Sequence, residues 1–414
     1  MTYVDPAARP LSYQTVSLKR RDGLLGAVGG GHNVELPVTG QGTVGFLLTR
    51  SEEFTVTARG GIGAPALRWT VSERDVRLDL LAPGGEATEL MRVSDVGLDP
   101  SLLCPYWFSF DCHNRLMRYG KGEMRLGTMH ASCPLPPPPL KKSDNDPWAW
   151  LQEIKRVEIA ASIPDFVDLW KDPVTVELPM RVVAHDAITM DDIATGELTV
   201  PASLTPTCQK LYDNVAGKSF ILDTPDFPEF SEAIKASILD PDGWCAQTLK
   251  RKADEFGTHD PTMTYLRITL GTNQGESPGI PFVMEIWPSG NYSPIHNHGG
   301  ADAVIRVLHG EITVSLYPYL ATDETKPFGE ETFKTEEVTW ISARLNQVHK
   351  LLNKNMDEPC ITIQCYLYGD DNDTHWPYFD YLGKDSIEHF DPNSDADFLA
   401  FKATMKEEWA KRPA

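Results

Sequence analysis

The sequence predicts a mainly β protein of two domains: a β-sandwich over residues 1–203, then a small β-barrel with a helical cover over residues 204–414. Three observations carry that expectation. The 414-residue length is long for one domain and comfortable for two. Short alternating runs of apolar and polar residues, rich in β-branched side chains and punctuated by Gly, Pro and Asp, recur in both halves. Near residue 204 the pattern switches to helical spacing before strands return, which marks the boundary.

In the first half, "GTVGFLLTR", "EFTVTARG", "ALRWTVS", "VRLDLLA", "PYWFSFD", "VTVELPMRVVAH" and "GELTVPA" read as strands of an antiparallel sandwich. "SCPLPPPPLKKSDNDPW" interrupts them, and its four consecutive prolines favour a stiff exposed loop. "GAVGGGHN" lacks the Lys-Ser/Thr of a phosphate loop and the ordered glycines of a dinucleotide fingerprint, so it reads as a turn. Cys104, Cys112, His113, His130 and Cys133 form no C-x-x-C pair, so they read as scattered structural residues. "CPYWFSFDCHNRLMRYGKGEMRLG", an aromatic-Ser-Phe-Asp strand followed by an aromatic-Gly-x-Gly turn, resembles the farnesoic-acid-methyltransferase-like β-sandwich domain.

Charge narrows the partners. With 59 acidic against 38 basic side chains the net charge is −21, which repels nucleic acid backbones and anionic membrane faces. No apolar run reaches bilayer length, and the stretch after Lys19-Arg20-Arg21 is too short and glycine-rich for a signal-peptide core. Seven cysteines without a regular framework fit reduced thiols. A cytoplasmic protein is expected.

In the second half, "DFPEFSEAIKASILD" and "GWCAQTLKRKADEFG" place apolar residues at helical intervals, with Asp223 or Thr224 and Asp240 or Asp242 available to start the helices. Strands follow: "TYLRITLGT", "PFVMEIWPSG", "AVIRVLHGEITVSLYPY", "EEVTWIS", "QVHKLLN" and "CITIQCYLYG". The charged tail "KEEWAKR", together with His389, reads as solvated helix.

Within "PSGNYSPIHNHGGADAVIRVLHGE", residues 288 to 311, His296 and His298 stand one residue apart. In a strand, residues i and i+2 share a face, so the pair offers a two-point grip on a metal ion. Gly290 precedes the pair, Gly310 closes the following strand and "HKLLN" lies at 349–353, a layout that resembles the two cupin motifs. That resemblance implies His349 as the third ligand. Asp302, separated from His298 by three residues, is a candidate carboxylate ligand; with it the site would suit manganese, and without it three neutral histidines favour iron(II).

The likeness extends beyond the metal motif. Tyr265-x-Arg267, Trp287 nine residues before the first metal histidine, "SPIHNH", "HKLLN", "LYG" at 367–369 and "HWPYFD" together resemble cysteine dioxygenase, a cupin-superfamily thiol dioxygenase, over residues 204–414. The resemblance implies Fe(2+) held by His296, His298 and His349, with Arg267 as substrate-carboxylate clamp. It also implies Tyr265 and Trp287 as pocket wall and Tyr368 as the active-site tyrosine. Small-molecule thiol and O2 would be its partners, and L-cysteine oxidation to the sulfinate its leading activity. Two departures stand out: Ala303 occupies the position where animal members carry a cysteine, and Gln364 and Tyr366 replace the family's serine and histidine. The alternatives are a dioxygenase for 3-mercaptopropionate or another small thiol, and a catalytically silent metal-binding cupin with a recognition role. His309 and His375 read as a strand-end and a surface residue.

Overall fold

The structure is a computed structural model that describes residues 25–28, 31–139, 145–162, 168–169, 179–271, 282–342, 345–368 and 378–412. It divides into two compact units, Thr15–Glu177 and Leu178–Ala414. The expected boundary after residue 203 lies farther along the chain than this division. Arg181–Val182 and Leu198–Thr199 are two-residue strands that pair with each other, and Arg181–Val182 also joins Val338–Ile341 of the second unit. Both lie in runs read from the sequence as sandwich strands, "VTVELPMRVVAH" and "GELTVPA"; the structure gives them to the second unit's sheet, a choice of pairing partner that strand periodicity does not carry.

The first unit is mainly β, with two sheets. Seven strands run in the order Leu25–Val28, Gly31–Glu35, Arg156–Ala160, Phe54–Arg59, Ala66–Val71, Asp75–Leu81, Ala87–Ser94. Five run Met129–Pro134, Leu116–Lys121, Tyr106–Asp111, Gln41–Phe46, Asp168–Leu169. Alternation puts Val56, Trp69 and Leu78 of the first sheet into one core with Val44, Phe108 and Tyr119 of the second. Trp69 meets Phe108 and Tyr119 with ring centroids 6.1 and 6.2 Å apart. The "YGKG" turn has a steric reason: a Cβ on Gly120 would lie 2.3 Å from the Trp107 ring and 2.5 Å from the Thr128 carbonyl. Cys104, Cys112 and Cys133 are buried free thiols. Residues 140–144 of the proline-rich segment lie outside the described residues.

The second unit is also mainly β, and its strands do not close into the expected barrel. An eight-stranded sheet runs Leu198–Thr199, Arg181–Val182, Val338–Ile341, Asp302–His309, Cys360–Leu367, Phe282–Trp287, Leu266–Gly271, Ala396–Asp397. A separate sheet holds Gly329–Lys334, Glu311–Leu316 and His349–Leu352. The chain passes between the two at Gly310, where φ is +75° and a Cβ would meet the Pro359 carbonyl at 2.5 Å. That sharp corner sends Glu311–Leu316 into the other sheet instead of continuing the first.

The period of two decides what each face of the large sheet buries. Val283, Trp287, Ala303, Ile305 and Val307 point to one side, where they share a core with Ile312, Val314, Leu316, Phe333 and Leu351 of the small sheet. The intervening Leu266, Ile268, Met284, Ile286 and Ile361 point to the other side and pack under Phe230, Ala233, Ile234, Phe401 and Met405. Those last residues belong to helices Phe230–Leu239 and Phe398–Ala410, the expected helical cover. Asp223 serves the first helix from outside it, accepting from the Ser231 amide at 2.7 Å and hydroxyl at 2.8 Å. The tail "KEEWAKR" ends the C-terminal helix with no buried side chain, while Phe401 and Met405, one turn apart, anchor the part before it. His389 lies outside it, in strand Ile387–Phe390. No helix among the described residues is long and apolar enough to cross a membrane.

Candidate metal centre

The His296-x-His298 pair does not lie on a regular strand. After Phe282–Trp287 the chain turns at Gly290 (φ +77°) and runs irregularly, held by single bridge pairings of His296 with His349 and with Tyr381. The His296 and His349 amides each donate to the other's carbonyl at 3.0 Å. The residue between the two histidines fixes the segment from the other direction. The Asn297 amide donates to the Asp380 carbonyl at 2.9 Å, its side-chain amide donates to the Asp380 carboxylate at 3.2 Å, and its side-chain oxygen accepts from the Asp380 amide at 3.1 Å. This buried clasp does the orienting that a regular ladder would do.

Among the described residues, one nitrogen from each of His296, His298 and His349 lies within 4.8 Å of the others. The rings are mutually tilted, with centroids 4.7 to 4.9 Å apart. His298 Nε2 and His349 Nε2 are 3.0 Å apart. Two imidazole nitrogens about 2.1 Å from one ion and at right angles to each other sit at roughly that separation. His296 Nδ1 donates to the Pro294 carbonyl at 3.0 Å, which leaves the Nε2 lone pair free. Burial pushes the His296 pKa down to about 4, and burial with mutual proximity holds His298 and His349 well below the usual value. All three are therefore neutral at physiological pH, the ligating form. Buried lone pairs converging this closely fit a divalent cation better than each other.

Asp302 faces elsewhere. Its buried carboxylate accepts from the Thr205 hydroxyl at 3.3 Å and the Cys208 thiol at 3.4 Å, at the start of helix Pro206–Val215. The converging group consists of the three histidines.

A chain of polar side chains leads away from them along the inward face of the large sheet. The Tyr366 ring stacks on His298, centroids 5.7 Å apart at 21°, and Phe379 covers the same imidazole at 4.6 Å. The Tyr366 hydroxyl donates to the Gln364 side-chain oxygen, and the Gln364 amide donates to Glu285. Glu285 in turn lies 3.5 Å from the Arg267 guanidinium, both side chains being buried. Arg267 keeps one donor, Nε, buried and without a hydrogen-bond partner. After burial, its positive charge is among the influences that lower the His296 and His298 pKa values, so it lies within electrostatic reach of the metal face.

The other expected residues fall around this chain. Tyr265 stacks on Trp287 with centroids 4.1 Å apart at 16°, both buried. Tyr368 is buried just beyond strand Cys360–Leu367, in the core that also holds Trp287, Ala303 and Tyr366. Ala303 pairs directly with Tyr366 in the sheet register. Gly369 and His375 lie outside the described residues. His309 lies at a strand end, 3.7 Å from Glu358. The sequence reading passed over Glu285, and Asp380 entered it only as the last residue of "HWPYFD". The signal for Glu285 was a lone acid on the inward register of the otherwise apolar "FVMEIW".

No family model matches the chain. Solved structures that overlap it include a cupin superfamily protein from Desulfitobacterium hafniense DCB-2, at 16% identity and a TM-score of 0.19, covering 26% of this chain and 79% of that one. A sugar phosphate isomerase from a cupin superfamily of Silicibacter pomeroyi DSS-3 overlaps at 16% identity and a TM-score of 0.19, covering 30% and 74%. An oxalate oxidase bound to a substrate analogue, glycolate, overlaps at 16% identity and a TM-score of 0.20, covering 32% and 57%. Overlaps this partial assign no activity to the chain.

Proposed function

We propose that the second unit is a non-haem iron(II) dioxygenase that converts a small carboxylate-bearing thiol to its sulfinate, RSH + O2 → RSO2H, with L-cysteine the leading substrate. The observation that supports this reading is one arrangement: three buried neutral imidazoles converge within electrostatic reach of a buried guanidinium that retains an unpartnered donor. In support, Phe379 of "HWPYFD" covers His298 of "SPIHNH", and the charge of Arg267 acts on His296 and His298. Iron(II), when bound, would lower the thiol pKa and bring both reactants to one centre.

The chain's own side chains have distinct tasks in this reading. His296, His298 and His349 hold the ion. Arg267 orients the substrate carboxylate through its planar fork. Tyr265 and Trp287 form an apolar wall that excludes water, and Tyr368 is the active-site tyrosine that the resemblance implies, while the Tyr366 hydroxyl is engaged with Gln364. The reaction balances without a further reductant, since both oxygen atoms enter the product. Metal analysis of the purified chain combined with oxygen uptake against L-cysteine, 3-mercaptopropionate and cysteamine tests it. Iron content with thiol-dependent oxygen uptake is the expected result; zinc or manganese without such uptake overturns it.

A further inference from the structure

Glu285 has no task in that reading, yet it is a carboxylate buried in an apolar strand and tied on both sides. One oxygen faces Arg267 at 3.5 Å and the other accepts from Gln364, whose own oxygen accepts from the tyrosine stacked on His298. A guanidinium meant to attract any carboxylate would be best left without a buried anion beside it. Above pH 7, where Glu285 is ionised, the charge of the pair is zero before a substrate arrives, and that is the range in which the selection acts.

We infer that Glu285 is a specificity-determining residue: its carboxylate, paired with Arg267, selects thiols whose carboxylate is balanced by an ammonium group over thiols that bring a carboxylate alone. This rests on the thiol dioxygenase reading. An incoming carboxylate that takes the free Nε of Arg267 comes within a few ångströms of Glu285, and two like charges in a dry site repel strongly. A substrate with an ammonium group next to its carboxylate carries its own compensation and gives Glu285 a cation to accept from. Discrimination therefore comes from a built-in repulsive element as much as from an attractive one. The surroundings reinforce this. Tyr265 and Arg267 face Glu285 from the neighbouring strand, Gln364 and Tyr366 from the other, and Lys252 and Asp395 exert opposed, more distant influences.

The test is anaerobic ligand titration of the iron-loaded full chain, read as dissociation constants, so that turnover plays no part. L-cysteine and 3-mercaptopropionate are titrated alongside L-alanine and propionate, their thiol-free counterparts. Wild type is expected to bind each zwitterion about tenfold tighter than its carboxylate-only partner. Glu285→Gln, which keeps the shape and an oxygen that can accept from Gln364, should bring the two within about threefold, and Glu285→Asp should retain the preference. Wild type that binds 3-mercaptopropionate as tightly as cysteine overturns the inference without any variant. So does a preference unchanged in a folded Glu285→Gln protein. Should neither thiol bind while alanine still outranks propionate, the thiol reading falls and the selection by Glu285 stands. Failure of all four to bind overturns both.

Discussion

Glu285 lies directly across the strand pair from Arg267, its carboxylate 3.5 Å from the guanidinium and both side chains all but removed from solvent. A buried ion pair adds little stability by itself, but breaking it by removing one partner is costly because the other charge stays buried. This pair therefore links the proposed substrate clamp to the stability of the unit.

Arg267→Ala should cost about 3–5 kcal/mol in denaturant unfolding, from the stranded Glu285. The double variant Arg267→Ala/Glu285→Gln should recover most of that while still losing the clamp, with kcat/KM for cysteine reduced on the order of a hundredfold. Arg267→Lys should rescue only part of the activity, since an ammonium lacks the two-point fork. A double variant no more stable than the single one would locate the destabilisation elsewhere.

Burial raises the Glu285 pKa from the usual 4.5 to about 7, against the opposing pull of Arg267. The folded protein then binds this proton more tightly than the unfolded chain does. The resulting stability is fully present below pH 4.5 and is lost as pH rises through 7. Glu285→Gln lacks that loss. Between pH 5 and 8 the stability difference should move in the variant's favour by roughly 2–3 kcal/mol. Parallel pH profiles for the two proteins would contradict the prediction.

Metal content should separate the three histidines from Asp302. His296→Ala and His349→Ala should purify without iron, because two remaining ligands cannot hold the facial grip. Asp302→Ala should retain the metal while loosening the start of helix Pro206–Val215, where Thr205 and Cys208 lose their acceptor. Elemental analysis of the three variants decides it; loss of iron from Asp302→Ala would restore the carboxylate to the ligand set.

Asp380 is not one of the converging residues, yet its hydrogen bonds to Asn297 hold the segment that carries two of them. Asp380→Ala should lower metal affinity about 10- to 100-fold with all three ligands intact, the usual effect of removing an orienting partner. Chelator competition measures it, and wild-type affinity in the variant would mean that the main-chain bonds of Asp380 to Asn297 and the bridge pairings suffice without its carboxylate.

Periodicity and motif spacing by themselves determined the mainly β class, the helices Phe230–Leu239 and Trp244–Arg251 within the quoted stretches, and His296 and His298 as a candidate pair, to which the cupin resemblance added His349. These properties are local: a period of two, a period near 3.6, or residue types at fixed offsets can be read wherever the chain goes. The sandwich-like split of the second unit, the irregular path of the His296–His298 segment and the division near residue 177 were settled by tertiary structure. Each depends on contacts between residues far apart in sequence: Gly310 against Pro359, Asn297 against Asp380, and Arg181 against Thr339. The same holds for the polar chain on the inward face of the large sheet. Gln364 and Tyr366 stood out in the sequence only as departures from a familiar pattern, and Glu285 did not stand out at all. What they do is decided by three strands lying side by side, because hydrogen bonds and ion pairs act over a few ångströms and the sequence does not encode which strands become neighbours.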